Sequence, residues 1–427
     1  MIARAEDFQG STHKLEYEGE PIKYFEQTPS DAVAQLQQRL IAGDVKLPFD
    51  NEFGYLPALL EELKIPRSSQ NLVFSKTSLQ RRFITPENPR ALYFNDNVYI
   101  GYVPGAPALE VSAADPKLGG IFYRFENEKV RKPKFVRDAD CLRCHGSNRT
   151  LGVPGHLMRS IGTDLTGELE PSTEINDIDH CTPFADRWAG WYVSGTHGGM
   201  THRGNLVGLP DFERTKSEPN FAGNVTDLSR FLDLKKYVEP TSDIVALMVL
   251  EHQVHMHNYI TRLNFETQRM MSMYGHIKYL KSQEDAFLRY LLMVEEAPLT
   301  APVKGNSDFA TEFSARGPCD AKGRSLREFN LETRLFKYPC SFLIYSDAFD
   351  SMPEIMRQRL LQRLRAILTN ADPDPQFVAL TADDRAAVLE ILQDTLPEFA
   401  RLADAQPPAG NPPSSAPGVA TEAISNP

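Results

Sequence analysis

Ala91-Leu92-Tyr93-Phe94-Asn95-Asp96-Asn97-Val98-Tyr99-Ile100-Gly101-Tyr102-Val103 reads as two strands joined by a tight turn. Aromatic and β-branched residues favour a pleated, half-buried surface. The short side chains of Asn95, Asp96 and Asn97 bond back to nearby backbone and accept turn geometry. Similar runs lie on either side: Leu72-Val73-Phe74 before it, Ala108-Leu109-Glu110-Val111 and Ile121 to Phe125 after it, the last preceded by Gly119-Gly120. Pro104-Gly105 and Asp115-Pro116 punctuate them as turns. The simplest arrangement of these runs is a small antiparallel sheet that ends where Lys132-Pro133-Lys134-Phe135 begins.

Outward from the sheet the periodicity becomes helical. Upstream, Ser30 stands as an N-cap before an amphipathic helix over Asp31 to Leu40 that ends near Gly43, and Leu56 to Leu63 forms a second short helix. Downstream, Asp243 to about Leu280 carries the strongest helical pattern in the chain, bent near Tyr274-Gly275. Further helices are expected over Gln283 to Glu296, Pro353 to Asn370 and Ala382 to Leu402. Residues 146–235, rich in Gly, Pro, Asp and Thr, show little periodicity, and a long irregular stretch in a compact protein usually serves a site. The fold class is therefore α+β: a small antiparallel β-rich N-terminal part, an irregular middle and an α-helical C-terminal half. Regions are expected at 1–135, 136–240, 241–404 and 405–427, the last a Pro- and Ala-rich tail with too little apolar area to fold. No internal repeat is visible.

The chain has 427 residues, long enough for more than one packed unit. With 41% hydrophobic and 24% charged residues it has an ordinary globular composition. Forty-six Lys and Arg against 57 Asp and Glu leave a net charge of −11, which disfavours nucleic acid as a partner. No run approaches the roughly 18 apolar residues that a membrane-spanning helix needs.

Cys141-Leu142-Arg143-Cys144-His145 is the stretch that carries chemistry. In a CxxCH site two thioether bonds grip the edge of a porphyrin, and the following histidine takes the iron axially. With five Cys and ten His in the chain, chance would produce the motif about 0.001 times. The cofactor expected is one covalent haem c, held by Cys141 and Cys144 with His145 as proximal iron ligand, which makes 136–240 the haem-wrapping region. Such attachment belongs to an oxidising, exported compartment such as the periplasm; Met1 to Gly10 contains no apolar leader core, so a leader would have been removed. The alternatives are a zinc site joining Cys141 and Cys144 to His180 and Cys181, and a dithiol redox centre. Of the remaining Cys181, Cys319 and Cys340, a Cys319–Cys340 disulfide and free thiols are equally open.

Candidates for the sixth iron position are His156, Met158, His180, His197, Met200, His202, Met248, His252 and His255. His197 ranks first and His202 second, because the glycines of Gly195-Thr196-His197-Gly198-Gly199-Met200-Thr201-His202-Arg203-Gly204 let backbone approach a flat cofactor. His252 and His255 share a helix face with Met248 and Tyr259, which leaves ordinary structural histidines as the leading reading, ahead of a helix packed against the haem region and of a second metal. Arg143, Arg159 and Arg203 are candidates to pair with haem propionates.

On these motifs the chain resembles c-type cytochromes, and more narrowly a group of large, poorly characterised single-haem proteins of environmental bacteria. The resemblance runs through 91–101, Cys141-Leu142-Arg143-Cys144-His145-Gly146, Gly152-Val153-Pro154-Gly155-His156-Leu157, 190–198, Asp243 to Asn258 and Thr333 to Ser341. It implies haem binding and one-electron transfer with a redox partner protein or a small-molecule donor or acceptor. A haem enzyme with an open iron site, peroxidase- or oxidase-like, is the competing expectation, and a haem-based sensor ranks below it.

Overall fold

The computed structural model describes residues 15–402 apart from Glu174 and Asp372; the proline-rich tail lies outside them. In chain order the helices are α1 (Ala32–Ala42), α2 (Leu56–Glu62), α3 (Leu142–His145), α4 (Gly208–Arg214), α5 (Ile244–Tyr274), α6 (Lys281–Leu291), α7 (Phe309–Ser314), α8 (Asp347–Asp350), α9 (Glu354–Leu368), α10 (Ala382–Thr395) and α11 (Pro397–Arg401). The strands are β1 (Asn71–Val73), β2 (Arg90–Phe94), β3 (Val98–Tyr102), β4 (Ala108–Asp115), β5 (Gly119–Glu126), β6 (Phe135–Arg137), β7 (Arg159–Ile161), β8 (Ile175–Asp177) and β9 (Trp191–Tyr192). The architecture is α+β.

Seven strands form one antiparallel sheet in the order β6-β5-β4-β3-β2-β1-β9. All five expected strands belong to it. Two more join at the edges, and β9 brings the irregular middle of the chain onto the sheet. Side chains alternate across the pleat. Ala91, Tyr93, Val98, Ile100, Leu109 and Phe125 enter the N-terminal core with α1 and α2. On the opposite face the register sets Leu92, Gly101, Glu110 and Arg124 in one row, and Phe94, Tyr99, Ser112 and Phe122 in the next. That second face meets α5 and the helical core.

Several element ends differ from expectation for local reasons. The cap of α1 is Asp31, whose carboxylate accepts from Val33 N (2.8 Å) and Ala34 N (3.0 Å), whereas Ser30 donates from its backbone to Asp115 (2.6 Å). The long helix stops at Tyr274 because Gly275 takes the left-handed conformation (φ 68°) that closes a helix end. Over 382–402 two helices replace one: Leu396 precedes Pro397 and is held extended (φ −121°, ψ 94°). All five cysteines are free thiols, with Cys340 buried and Cys319 exposed, so the Cys319–Cys340 bridge is not formed.

Helix α5 organises the rest. Its 31 residues make a rod of roughly 46 Å at 1.5 Å per residue. Asp243 caps it, one carboxylate oxygen accepting from Val245 N and Ala246 N and the other from Asn306 N, Ser307 N and Ser307 Oγ. Residues 244 to 267 of the rod are buried almost without interruption. Buried polar groups must find partners, and those of α5 bond to the loops around it. No helix among the described residues is long and apolar enough to cross a membrane.

Candidate functional site

The CxxCH motif begins in a turn of 3-10 helix, Ala139–Cys141, capped by Asp138, which accepts from Asp140 N (3.0 Å), and runs directly into α3. Gly146 ends α3 where a side chain would meet the Tyr17 hydroxyl at 2.6 Å. The chain then loops back: Gly155 N donates to the His145 carbonyl (2.8 Å), and the Gly155 carbonyl lies 3.0 Å from His145 Nδ1. A carbonyl only accepts, so this partner places the imidazole proton on Nδ1 and leaves the lone pair on Nε2. Burial pulls the His145 pKa down to about 4, which keeps the ring neutral. Gly155 itself is required: a Cβ there would fall 2.2 Å from Asn258 Oδ1.

Cys141, Cys144 and His145 line one cavity of about 880 Å³, within the range of small-molecule and cofactor sites. Its floor is the second face of the sheet. Gly101 is flat there, and Phe122 packs against His145 with ring centroids 4.7 Å apart. Leu250 and Val254 of α5 and Trp191 of β9 form the inner wall. At the mouth, Leu79, Leu169 and Ile175 are 65%, 44% and 38% exposed. Large apolar side chains left bare around an opening mark a surface that something apolar covers.

The other sequence candidates divide. His156 and Met158 line the cavity, and the His156 ring lies 6.5 Å from that of His145, its Nε2 bonded to Ser112 Oγ (3.0 Å) and its Nδ1 buried without a partner. His197 and His202 do not line it. They pack together 4.7 Å apart, His197 Nε2 against the Gly223 carbonyl (3.1 Å) and His202 Nδ1 accepting from Gly204 N (2.9 Å), beside Phe184 and Trp188. The glycines that raised their rank serve this loop instead. His180 pairs with His252 (Nδ1 to Nδ1, 2.9 Å), and His252 Nε2 bonds to Ser341 Oγ (2.8 Å). That pairing takes His180 out of the zinc reading, and the described residues contain no cluster of three or more His, Cys, Asp or Glu arranged for a metal ion. A reactive dithiol needs a lowered thiol pKa; burial, with Asp138 and Glu110 nearby, pushes that of Cys141 up to about 12.

Of the three arginines singled out, Arg143 pairs with Asp140 (3.2 Å) on the surface and Arg203 with Asp186 (3.0 Å), while Arg159 lines the cavity. Sequence reasoning missed the group on the sheet floor: Glu110 accepts from Ser78 Oγ (2.6 Å) and from Arg90 Nη1 (2.7 Å). Strand alternation alone puts Glu110 on one face, but only the register shows Leu92, Gly101 and Arg124 beside it. No family model, curated protein or solved structure matches this chain.

Proposed function

We propose that the chain carries one haem c, attached through Cys141 and Cys144 with His145 as axial ligand, and serves one-electron transfer in an exported compartment. The observation that carries the reading is the state of His145. A metal-ligating histidine characteristically donates its second ring N–H to a carbonyl or carboxylate; His145 does so to Gly155, is held neutral, and lines the same apolar-walled cavity as both sulfurs. When bound, the haem supplies an iron that cycles between ferric and ferrous states at a potential set by its ligands and burial. The chain's own residues do the rest. Gly155 fixes the ring, Phe122 supports it, and Leu250, Val254 and Trp191 exclude water. Cys144 is exposed, which leaves the attachment edge where a redox partner can approach.

Met158 and His156, the remaining Met and His of the wall, are the sources of a sixth ligand. The polar group Arg90, Glu110 and Ser78 inside so large a cavity favours a second reading, an open iron face that takes a small oxidised substrate. The test is direct. Protein matured with its export machinery should keep its haem through denaturation and acid-acetone extraction, and Cys141→Ala with Cys144→Ala should release it; a wild-type polypeptide that loses all colour overturns the reading. Carbon monoxide binding by the ferrous form then selects the open-face alternative, and indifference to it selects the carrier.

A further inference from the structure

The cavity holds more positive charge than its own acids answer. Lys76 and Arg81 lean on Glu168 (3.5 and 3.8 Å). Arg90 gives one Nη1 to Glu110 (2.7 Å), but its Nε is buried with no acceptor. Arg159 is half-buried in the cavity wall, and its guanidinium makes no hydrogen bond or ion pair among the described residues. Its nearest candidate, Asp177, is held in a two-pronged grip by Arg149 (2.9 Å to each oxygen). Arg90 is thus answered on one side by Glu110, while Arg159, drawn toward Asp177 by charge, has no bonded acceptor of its own among the described residues. A guanidinium offers a planar fork that suits carboxylates and oxyanions above other ligands.

We propose that Arg159, in the lining of the cavity that Arg90 also lines, receives an anionic oxygen group, a carboxylate or a small oxyanion, in the cavity that holds Cys141 and His145. Two sources have this chemistry: a propionate of the bound cofactor, in which case the assignment rests on the haem reading above, or a free oxyanion entering from solvent, in which case it does not. Glu110 has a separate part. By holding Arg90 through Nη1 it fixes where that guanidinium sits in the cavity lining.

Two measurements on the same proteins separate the sources. Wild type, Arg159→Gln, Arg159→Lys and Arg90→Lys are purified after maturation, and circular dichroism checks that each keeps its fold. The first arm titrates nitrite and formate by calorimetry; it needs no haem, so it remains decisive if haem attachment fails. The second arm follows the midpoint potential of the haem-loaded protein against pH. For a free oxyanion, wild type binds nitrite or formate, Arg159→Gln weakens binding at least tenfold, and both lysine variants fall between. For a propionate, wild type ignores the free anions, and Arg159→Gln lowers the potential by about the 59 mV that a tenfold change in a one-electron equilibrium represents. The potential of that variant also becomes pH-dependent in the mildly acidic range, as the unmatched carboxylate begins to titrate; simple loss of a distant charge would not add this. Free anions ignored by wild type, together with a potential unmoved by Arg159→Gln, overturn the proposal.

Discussion

Asn258 grips the backbone of His156 from both sides: its Oδ1 accepts from His156 N (2.9 Å) and its Nδ2 donates to the His156 carbonyl (2.6 Å). The loop that presents the Gly155 carbonyl to His145 is thereby fastened to α5. Asn258→Ala leaves a buried N–H and a buried carbonyl without partners and should cost about 2–4 kcal/mol. Asn258→Asp keeps the acceptor and sets it against the carbonyl, so it should do no better. Denaturant unfolding measures both, and a loss below about 0.5 kcal/mol would remove the clamp from the account.

Arg187 and Glu251 form an ion pair in the interior, with the Trp188 indole donating to the second carboxylate oxygen (3.0 Å) and Arg187 also donating to the carbonyls of Thr182 and His180. Burial pushes the Glu251 carboxyl upward, and the Arg187 charge pulls it back. Arg187→Met should cost about 3–5 kcal/mol, since it strands a buried carboxylate, and adding Glu251→Leu should recover much of that loss. A double variant no more stable than Arg187→Met would show that the pair does more than neutralise itself.

Acid should unfold the protein early. Burial lowers the pKa of His202 and His252 to about 3 and that of His257 to about 4. Below the ordinary histidine value of about 6.5 the unfolded chain takes up protons that the folded chain refuses. Their contribution is complete above that pH and is lost as pH falls through 4 for His257 and toward 3 for His202 and His252, on the order of 1–3 kcal/mol per histidine. Denaturation midpoints at pH 7.5, 6 and 5 check the slope, and a flat series would refute it.

His197 and His202 lie outside the cavity, so His197→Ala and His202→Ala should leave the optical spectrum and spin state of the haem-loaded protein unchanged. Met158→Ala or His156→Ala should alter them if the iron is six-coordinate. A spin-state change in either of the first pair, with the fold intact by circular dichroism, would bring that loop back to the iron.

Much of this was legible in the residues. Turn chemistry at Asn95-Asp96-Asn97 and aromatic alternation delivered the centre of the sheet, whereas Gly275, read as a bend in a helix running to about Leu280, ends α5. Short edge strands were not, because β6 and β9 have three and two residues and only pairing partners distinguish such segments from loop. The motif itself was visible, whereas its surroundings were not: the Gly155 carbonyl, the Glu110 and Arg90 pair and the apolar mouth come from segments up to about 100 residues apart, brought together by register and loop closure. His197 and His202 misled because glycines around a histidine serve a tight, hydrogen-bonded loop as readily as they serve a flat ligand.

One unbroken rod touches three places. Through Leu250 and Val254 it walls the cavity, through Asn258 and Arg262, which donates to the Leu151 carbonyl (2.7 Å), it anchors the return loop, and at Phe265 it reaches Tyr17 in the N-terminal core. A helix of this length transmits tilt and hardly bends over a few turns. The two halves of the molecule therefore share a common axle: the same helix that bears on Tyr17 also carries the wall behind the paired sulfurs.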